Sequence, residues 1–330
     1  SSQAAGTSPT PAIPTDLPPA LTPTITTPGT SGSPTAQAAV TFTPSTPQAT
    51  PTQPMTFPGG TADDLAKQLS EKTGYTVQTV QFATYAELIE ALNQRKIQAG
   101  WLPPLTYLLA YQRAVAQVGL VTNHFGVYTY GTQILANAED HYTVYFDSAK
   151  NQSTADAADA LRQFAGKRPC WVDPTSASGY VLPKGVLAIE SILPGPEVIT
   201  QDHTAVIRAL YTRGICDFGA TFGIMGDPRT ASSVQKDLPD VMQKVLIIWQ
   251  TPAIIPNLNL SYAWNLPTPV RAKLNDALLS LAQSKDGLAA LTASTGYQID
   301  GLKPVDNSFY NDLMNFVQAS GVELSSLVGK

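Results

Sequence analysis

Charged side chains are scarce in this sequence, at 14% of residues, and they leave a net charge of −5. A weakly acidic chain offers no basic stripe for a phosphate backbone, so nucleic acid is excluded as a partner. Histidine is rarer still. His124, His141 and His203 lack the spacing of a metal site, and neither a metal nor another cofactor is expected. The only two cysteines, Cys170 and Cys216, match no zinc pattern. Both lie in apolar, strand-like runs, where buried free thiols and a Cys170–Cys216 disulfide are both open readings. No apolar run reaches the roughly 18 residues of a membrane-spanning helix.

Catalytic signatures are missing as well. There is no G-x-S-x-G, P-loop, G-x-G-x-x-G or H-E-x-x-H. The nearest run, Thr175-Ser176-Ala177-Ser178-Gly179, opens on Thr and has Ala at its centre. The chain reads as a protein that binds and does not turn over its ligand.

Proline is plentiful but uneven. Of 27 prolines, 13 fall in the first 60 residues, where Asp16 is the only charged side chain. Such a segment buries too little apolar surface to offset a backbone ordering cost of roughly 1–2 kcal/mol per residue. Residues 1–37 therefore read as an extended, disordered Pro/Thr-rich tether. Tethers of this kind are common in exported proteins held near a membrane, and the chain opens on Ser1 where an initiator Met would stand. The expectation is a processed, extracytoplasmic protein with an N-terminal lipid anchor not visible in this chain.

Beyond the tether, strand-like and helix-like segments alternate. Ala38–Ser45 and Val77–Phe82 read as strands, with a helix between them capped by Thr61. Thr84-Tyr85-Ala86-Glu87 is a capping box, with Leu88, Ile89 and Leu92 on the buried face that follows. The pattern restarts after Ser153, and Asp202 caps a helix that buries Val206, Ala209 and Leu210. Alternation of this kind predicts an α/β fold with right-handed βαβ units and mainly parallel sheets. Two such runs predict two lobes, whose strand ends can face each other across a cleft.

One segment concentrates chemistry. Asp173-Pro174-Thr175-Ser176-Ala177-Ser178-Gly179-Tyr180 runs from a strand end into a helix start. Hydroxyls at 175, 176 and 178 stand among small residues that let a ligand approach the backbone. A helix's first turn also leaves N–H groups unpaired and partly positive. Together these make an anion site without Lys or Arg, although an ordinary Ser-capped helix fits the spacing too. Asp217 is placed at the end of a second-lobe strand. An ionised carboxylate there would accept from an anion that still carries a proton, as phosphate, phosphite and phosphonate monoanions do and sulfate does not. His203, at a helix start, could donate to an oxyanion, more strongly when partly protonated. Tyr107 and Tyr130, at strand edges, read as wall residues or donors.

From Ala38 to Leu324 the chain resembles the phosphate/phosphite/phosphonate-binding proteins of ABC importers. The most specific block is Val172-Asp173-Pro174-Thr175-Ser176-Ala177-Ser178-Gly179-Tyr180-Val181-Leu182-Pro183, close to that family's anion loop. Gly100-Trp101-Leu102-Pro103-Pro104-Leu105-Thr106-Tyr107, Tyr130-Gly131-Thr132-Gln133-Ile134, His203-Thr204-Ala205-Val206 and Asp217-Phe218-Gly219-Ala220 follow its other blocks in order. The resemblance implies a two-lobed type II periplasmic-binding fold. It also implies a ligand site of Tyr107, Tyr130, Thr175, Ser176, Ala177, Ser178, His203 and Asp217, holding a small phosphorus oxyanion for delivery to an ABC transporter permease. Relatives that hold an aminoalkyl phosphonate often carry an acid directly after the His. Thr204 at that position favours phosphite, phosphate or a small alkylphosphonate. The expected division is lobe one over 38–130 and 248–330 and lobe two over 131–247, with crossovers near 128–134 and 244–250.

Overall fold

A computed structural model describes residues 37–43 and 62–328. The expected tether, apart from Gln37, and the Thr61 cap lie outside these residues. The chain enters at β1 (Gln37–Thr43), then α1 (Ala62–Thr73), β2 (Thr76–Phe82), α2 (Tyr85–Asn93), β3 (Ala99–Leu102), α3 (Pro104–Gln112) and β4 (Ala116–Asn123). It passes to β5 (Thr129–Asn137), a small hairpin of β6 (Phe146–Asp147) and β7 (Gln152–Ser153), α4 (Ala157–Leu161) and β8 (Pro169–Trp171). One π-type turn (Ala177–Val181) leads directly into α5 (Leu182–Ile189), followed by β9 (Val198–Ile199), α6 (His203–Thr212) and β10 (Phe218–Gly223). After α7 (Ser232–Asp237) and α8 (Val241–Lys244), β11 (Val245–Gln250) and β12 (Ile255–Pro256) lead back to β13 (Asn259–Ala263). The last elements are α9 (Thr268–Leu281), α10 (Lys285–Thr295), β14 (Gly301–Pro304), α11 (Asn311–Ser320) and α12 (Leu324–Leu327).

Local chemistry explains why the helices begin where they do. In α2 the Glu87 N–H donates to Thr84 Oγ1 at 3.2 Å while the Thr84 N–H donates to Glu87 Oε2 at 3.3 Å, the reciprocal capping box expected from sequence. Leu88, Ile89 and Leu92 are buried behind it. Asp202 caps α6 by accepting from the Ala205 N–H at 2.8 Å, and Val206, Ala209 and Leu210 face inward.

The strands form two principal sheets, ordered β14-β4-β13-β3-β1-β2 and β11-β5-β10-β8-β9, with β12 pairing β5. The expectation of mainly parallel sheets is corrected: among the described strands only β8–β10 and β8–β9 pair in parallel. The cause is the route of the chain. The strand β13, returning from the second lobe, inserts between β3 and β4 and runs antiparallel to both. In the second sheet β5 runs against β10 and β11 in the same way. Alternation of strand and helix records neither insertion, because each is a long-range pairing.

The sheets are joined by two neighbouring segments, 124–128 and 251–258, a few residues from the crossovers expected. They are hydrogen-bonded to each other, the Asn257 N–H donating to the Tyr128 carbonyl at 3.0 Å, and the Ile254 N–H ties the second to Tyr130 of β5 at 2.9 Å. In the C-terminal part, β13 and β14 belong to the first sheet. Helix α11 packs on α5 so closely that a Cβ on Gly185 would lie 2.2 Å from the Phe316 carbonyl oxygen, and only glycine permits that approach.

Candidate functional site: a cleft of helix N-termini

Between the lobes lies a cavity of about 400 Å³. Four helices start at its wall. Ala83, Thr84 and Tyr85 come from the start of α2, and Pro103 to Thr106 from the start of α3. Thr175 to Ser178 come from the start of the 177–189 helix, and His203 is the first residue of α6. The first-turn N–H groups of each helix have no preceding turn to bond to, and each start carries about half a positive charge. No side chain caps α3, whose Pro104 has no N–H at all. Among the described residues, no Lys, Arg, Asp or Glu lines the cavity. The remaining wall is apolar, with Phe222 and Met225 from the end of β10 and the loop after it, and Leu327 and Val328 from the C-terminal segment.

The serine loop is built as a cradle. Ser176 Oγ accepts the Gly179 N–H at 3.0 Å and so caps the helix. Its own O–H is left to donate outward. The Ser178 carbonyl accepts from Thr132 Oγ1 at 2.8 Å, pinning the loop to β5. Tyr130, on β5, brings its hydroxyl within hydrogen-bonding reach of the Ser178 side chain, and burial pushes its pKa up. Thr175 lines the cavity, but its hydroxyl and its N–H both donate to Asp173 Oδ1. Of the residues expected at the site, Tyr130, Thr175, Ser176, Ala177, Ser178 and His203 share this wall.

His203 packs edge-on against Phe222 with ring centroids 4.7 Å apart, and its Nδ1 is buried with no partner among the described residues. Burial pulls its pKa from 6.5 down to about 4, with Asp202 opposing the shift. The ring is therefore neutral at physiological pH, which corrects the expectation of partial protonation. A neutral imidazole has one donor and one acceptor nitrogen, so it can accept from a P–O–H group as well as donate to an oxyanion. Linkage gives a stability prediction. As pH falls from 6.5 toward 4 the unfolded chain protonates His203 and the folded chain does not, so the fold loses stability over that window. Urea midpoints across it should fall in the wild type and fall less in His203→Gln; parallel profiles would remove His203 as the cause.

Two expected site residues are elsewhere. Tyr107 is fully buried, with its hydroxyl donating to Asn307 Oδ1 at 2.7 Å and its ring 4.3 Å from that of Tyr310. It sits at the end of the first turn of α3, and the residues that reach the cavity are those before it. Asp217 does not end a strand but precedes one. The register pairs Phe218 with Pro169, so Asp217 stands beside Arg168, at the opposite edge of the sheet from the serine loop. It accepts the Arg168 backbone N–H at 2.8 Å and a guanidinium N–H at 2.9 Å. Those hydrogen bonds hold its carboxyl below the usual range. Asp217→Asn should lower the melting temperature and leave anion affinity and selectivity untouched; altered selectivity in titration calorimetry would return Asp217 to the site. Residue 222 is the one that β10 delivers to the cleft, and sequence reading missed it, as it missed Met225 and the starts of α2 and α3. The capping box at Thr84 marks a helix start, but nothing local says what that start faces.

Two α/β lobes, one on an antiparallel sheet and one on a mixed sheet, flanking an anion-suited cleft define the type II periplasmic-binding architecture. Solved structures agree on the fold. That of XAC2383 from Xanthomonas citri bound to ATP superposes with a TM-score of 0.59 at 15% identity, covering 79% of this chain and 90% of that one. Mh-p37 of Mycoplasma hyorhinis gives a TM-score of 0.51 at 11% identity over 78% of this chain and 90% of its own. The chain belongs to the family described as ABC transporter, phosphonate, periplasmic substrate-binding protein, whose model matches residues 61–310. That family is one of binding components, not of enzymes, and its description is extracytoplasmic. Among curated proteins, the phosphate-import protein PhnD of Mycolicibacterium smegmatis is 27% identical over 178 residues, 50% of each chain. The chain thus matches about half the length of that relative.

Proposed function

We propose that this protein captures a small phosphorus oxyanion in the interlobe cleft and delivers it to an ABC permease. One observation carries the reading: four helix N-termini converge on a cavity that no charged side chain among the described residues lines. Such a site draws its affinity for an anion from oriented amides and hydroxyls, in a setting where water is largely displaced. The serine hydroxyls and the N–H groups of Ala177 and Ser178 hold the oxygens attached to phosphorus. Tyr130 and the neutral His203 close over the remaining oxygens, and His203 takes over the proton-recognising part expected of Asp217.

Bridging both lobes, the ligand stabilises the closed form by its differential affinity, and the permease reads closure. The Pro/Thr-rich segment at 1–37 is the tether of this assembly at the outer face of the membrane, held by a lipid anchor. Titration calorimetry with phosphate, phosphite, methylphosphonate and sulfate tests the reading. At least one of the phosphorus anions should bind, with sulfate weaker by about tenfold, the worth of one lost hydrogen bond of about 1.4 kcal/mol. Preference for sulfate, or for a carboxylate such as glutamate, would overturn it. An organic-anion receptor on the same fold is disfavoured because no Arg among the described residues lines the cleft for bidentate carboxylate binding.

A further inference from the structure

The strand β10 leaves its sheet by an unusual turn. The Met225 N–H donates back to the Gly223 carbonyl at 3.0 Å, closing a three-residue turn centred on Ile224, whose φ is +75°. This is the rare and strained sense of the γ-turn. Of the described non-glycine residues with positive φ, Ile224 alone is β-branched, and a β-branched side chain is among those least tolerated there. The turn is flanked by Phe222 and Met225, the two residues that this segment gives to the wall of the cleft.

Neighbouring contacts hold the turn against its strain. On one side, Gly223 pairs with Gly131 in the ladder between β10 and β5. On the other, Asp227 accepts from the Arg229 guanidinium at 2.7 Å, and that buried side chain also donates to the Val245 carbonyl at 2.7 Å. The Ile224 side chain itself is wedged over Gly131. A Cβ on that glycine would lie 3.1 Å from Ile224 Cδ1, 2.6 Å from Thr251 Oγ1 and 2.9 Å from the Pro252 carbonyl oxygen, so all three share the notch that glycine leaves. Thr251 and Pro252 open the second crossover. Thr251 Oγ1 accepts the Thr132 N–H at 2.9 Å, and the Thr132 hydroxyl in turn holds the serine loop. Strained conformations persist where the surrounding structure over-determines them, and they gather at ligand sites.

We infer that Ile224 is a positioning residue of the ligand site: wedged over Gly131 beside the second crossover, it holds a strained turn that sets Phe222 and Met225 into the cleft wall. Ile224 does not itself line the cavity, so it acts through these neighbours. Their placement matters because Phe222 is the ring packed against His203. A relaxed turn would withdraw that cover and wet the imidazole. This inference rests on the proposed function, whose cleft wall the turn shapes.

The test uses Ile224→Gly, Ile224→Ala and Ile224→Leu in the full chain. Glycine relieves the strain and alanine empties the notch, while leucine keeps an apolar branch in it. Titration calorimetry is run with phosphate, phosphite and methylphosphonate. The Gly and Ala variants should bind the tightest of these about tenfold more weakly, and the Leu variant within about twofold of the wild type. Melting curves should show all three folded. A second readout needs no ligand. Followed by NMR, the His203 ring should titrate near 4 in the wild type, where Asp202 is the charged neighbour acting on it, and nearer 6.5 in the Gly variant. Gly and Ala variants that bind as tightly as a binding wild type overturn this inference alone, and so does an unmoved His203 titration. Binding weakened equally in the Leu variant reduces the effect to general packing and overturns it too. A wild type silent toward all three anions overturns the proposed function, and the His203 titration then decides the part played by the turn.

Discussion

Ser176→Asp should abolish anion binding in a protein that still folds. Aspartate caps a helix as well as serine does, so the Gly179 N–H keeps its acceptor and the 177–189 helix keeps its start. What changes is the charge in the cradle. A carboxylate about 4 Å from a bound monoanion, at an effective dielectric of about 20, opposes it by about 4 kcal/mol, roughly a thousandfold in affinity. Ser176→Asn is the matched control, since asparagine supplies the same cap without the charge. Calorimetry with the best phosphorus anion should show weak but measurable binding to the Asn variant and none to the Asp variant, with similar melting curves. Equal affinities for the two variants would mean that the anion does not sit at this helix start.

The second large effect concerns the disulfide. Cys170 and Cys216 are bonded across a sequence separation of 46, which settles the choice the sequence left open. Cys170 lies in β8, the strand that feeds the serine loop, and Cys216 just precedes β10, so the bond ties neighbouring strands at their entrance. In the chain-entropy account, closing a loop of this length stabilises the fold by about 4 kcal/mol. Replacing both cysteines with alanine should therefore lower the melting temperature by roughly 10 °C. Reductant should lower the wild type similarly and leave the variant where it is. A wild type indifferent to reductant would show that the bond is not formed in the protein studied. A persisting disulfide also agrees with the extracytoplasmic setting of the family, because cytosolic thiols are kept reduced.

Much of this protein was legible from sequence wherever the governing interactions are local. The capping box at Thr84 and Glu87, the Asp202 cap and the serine-rich helix start at 176 all depend on residues within one turn of each other. The order of blocks around residues 100–107, 172–183 and 203–206 was enough to suggest the family. Misplacement occurred where a residue's partner lies far along the chain. Asp217 was assigned to the cleft because its segment looks like a strand end. Its register beside Arg168, 49 residues away, turns it to the other edge of the sheet. Tyr107 was drawn into the site by its neighbours, while its hydroxyl is committed to Asn307, 200 residues on.

By itself, then, the amino-acid order determined the helix starts, the α/β class and the anion-suited character of residues 175–178, because short-range hydrogen bonding and periodic burial are written in neighbouring residues. Tertiary structure alone decided which of those helix starts face one cavity and which end of β10 meets it. Those outcomes depend on the insertion of β5 and β13 between strands distant in sequence, and on the two crossovers that pair with each other. Non-local pairings of that kind leave no periodicity in the chain for a reader to find.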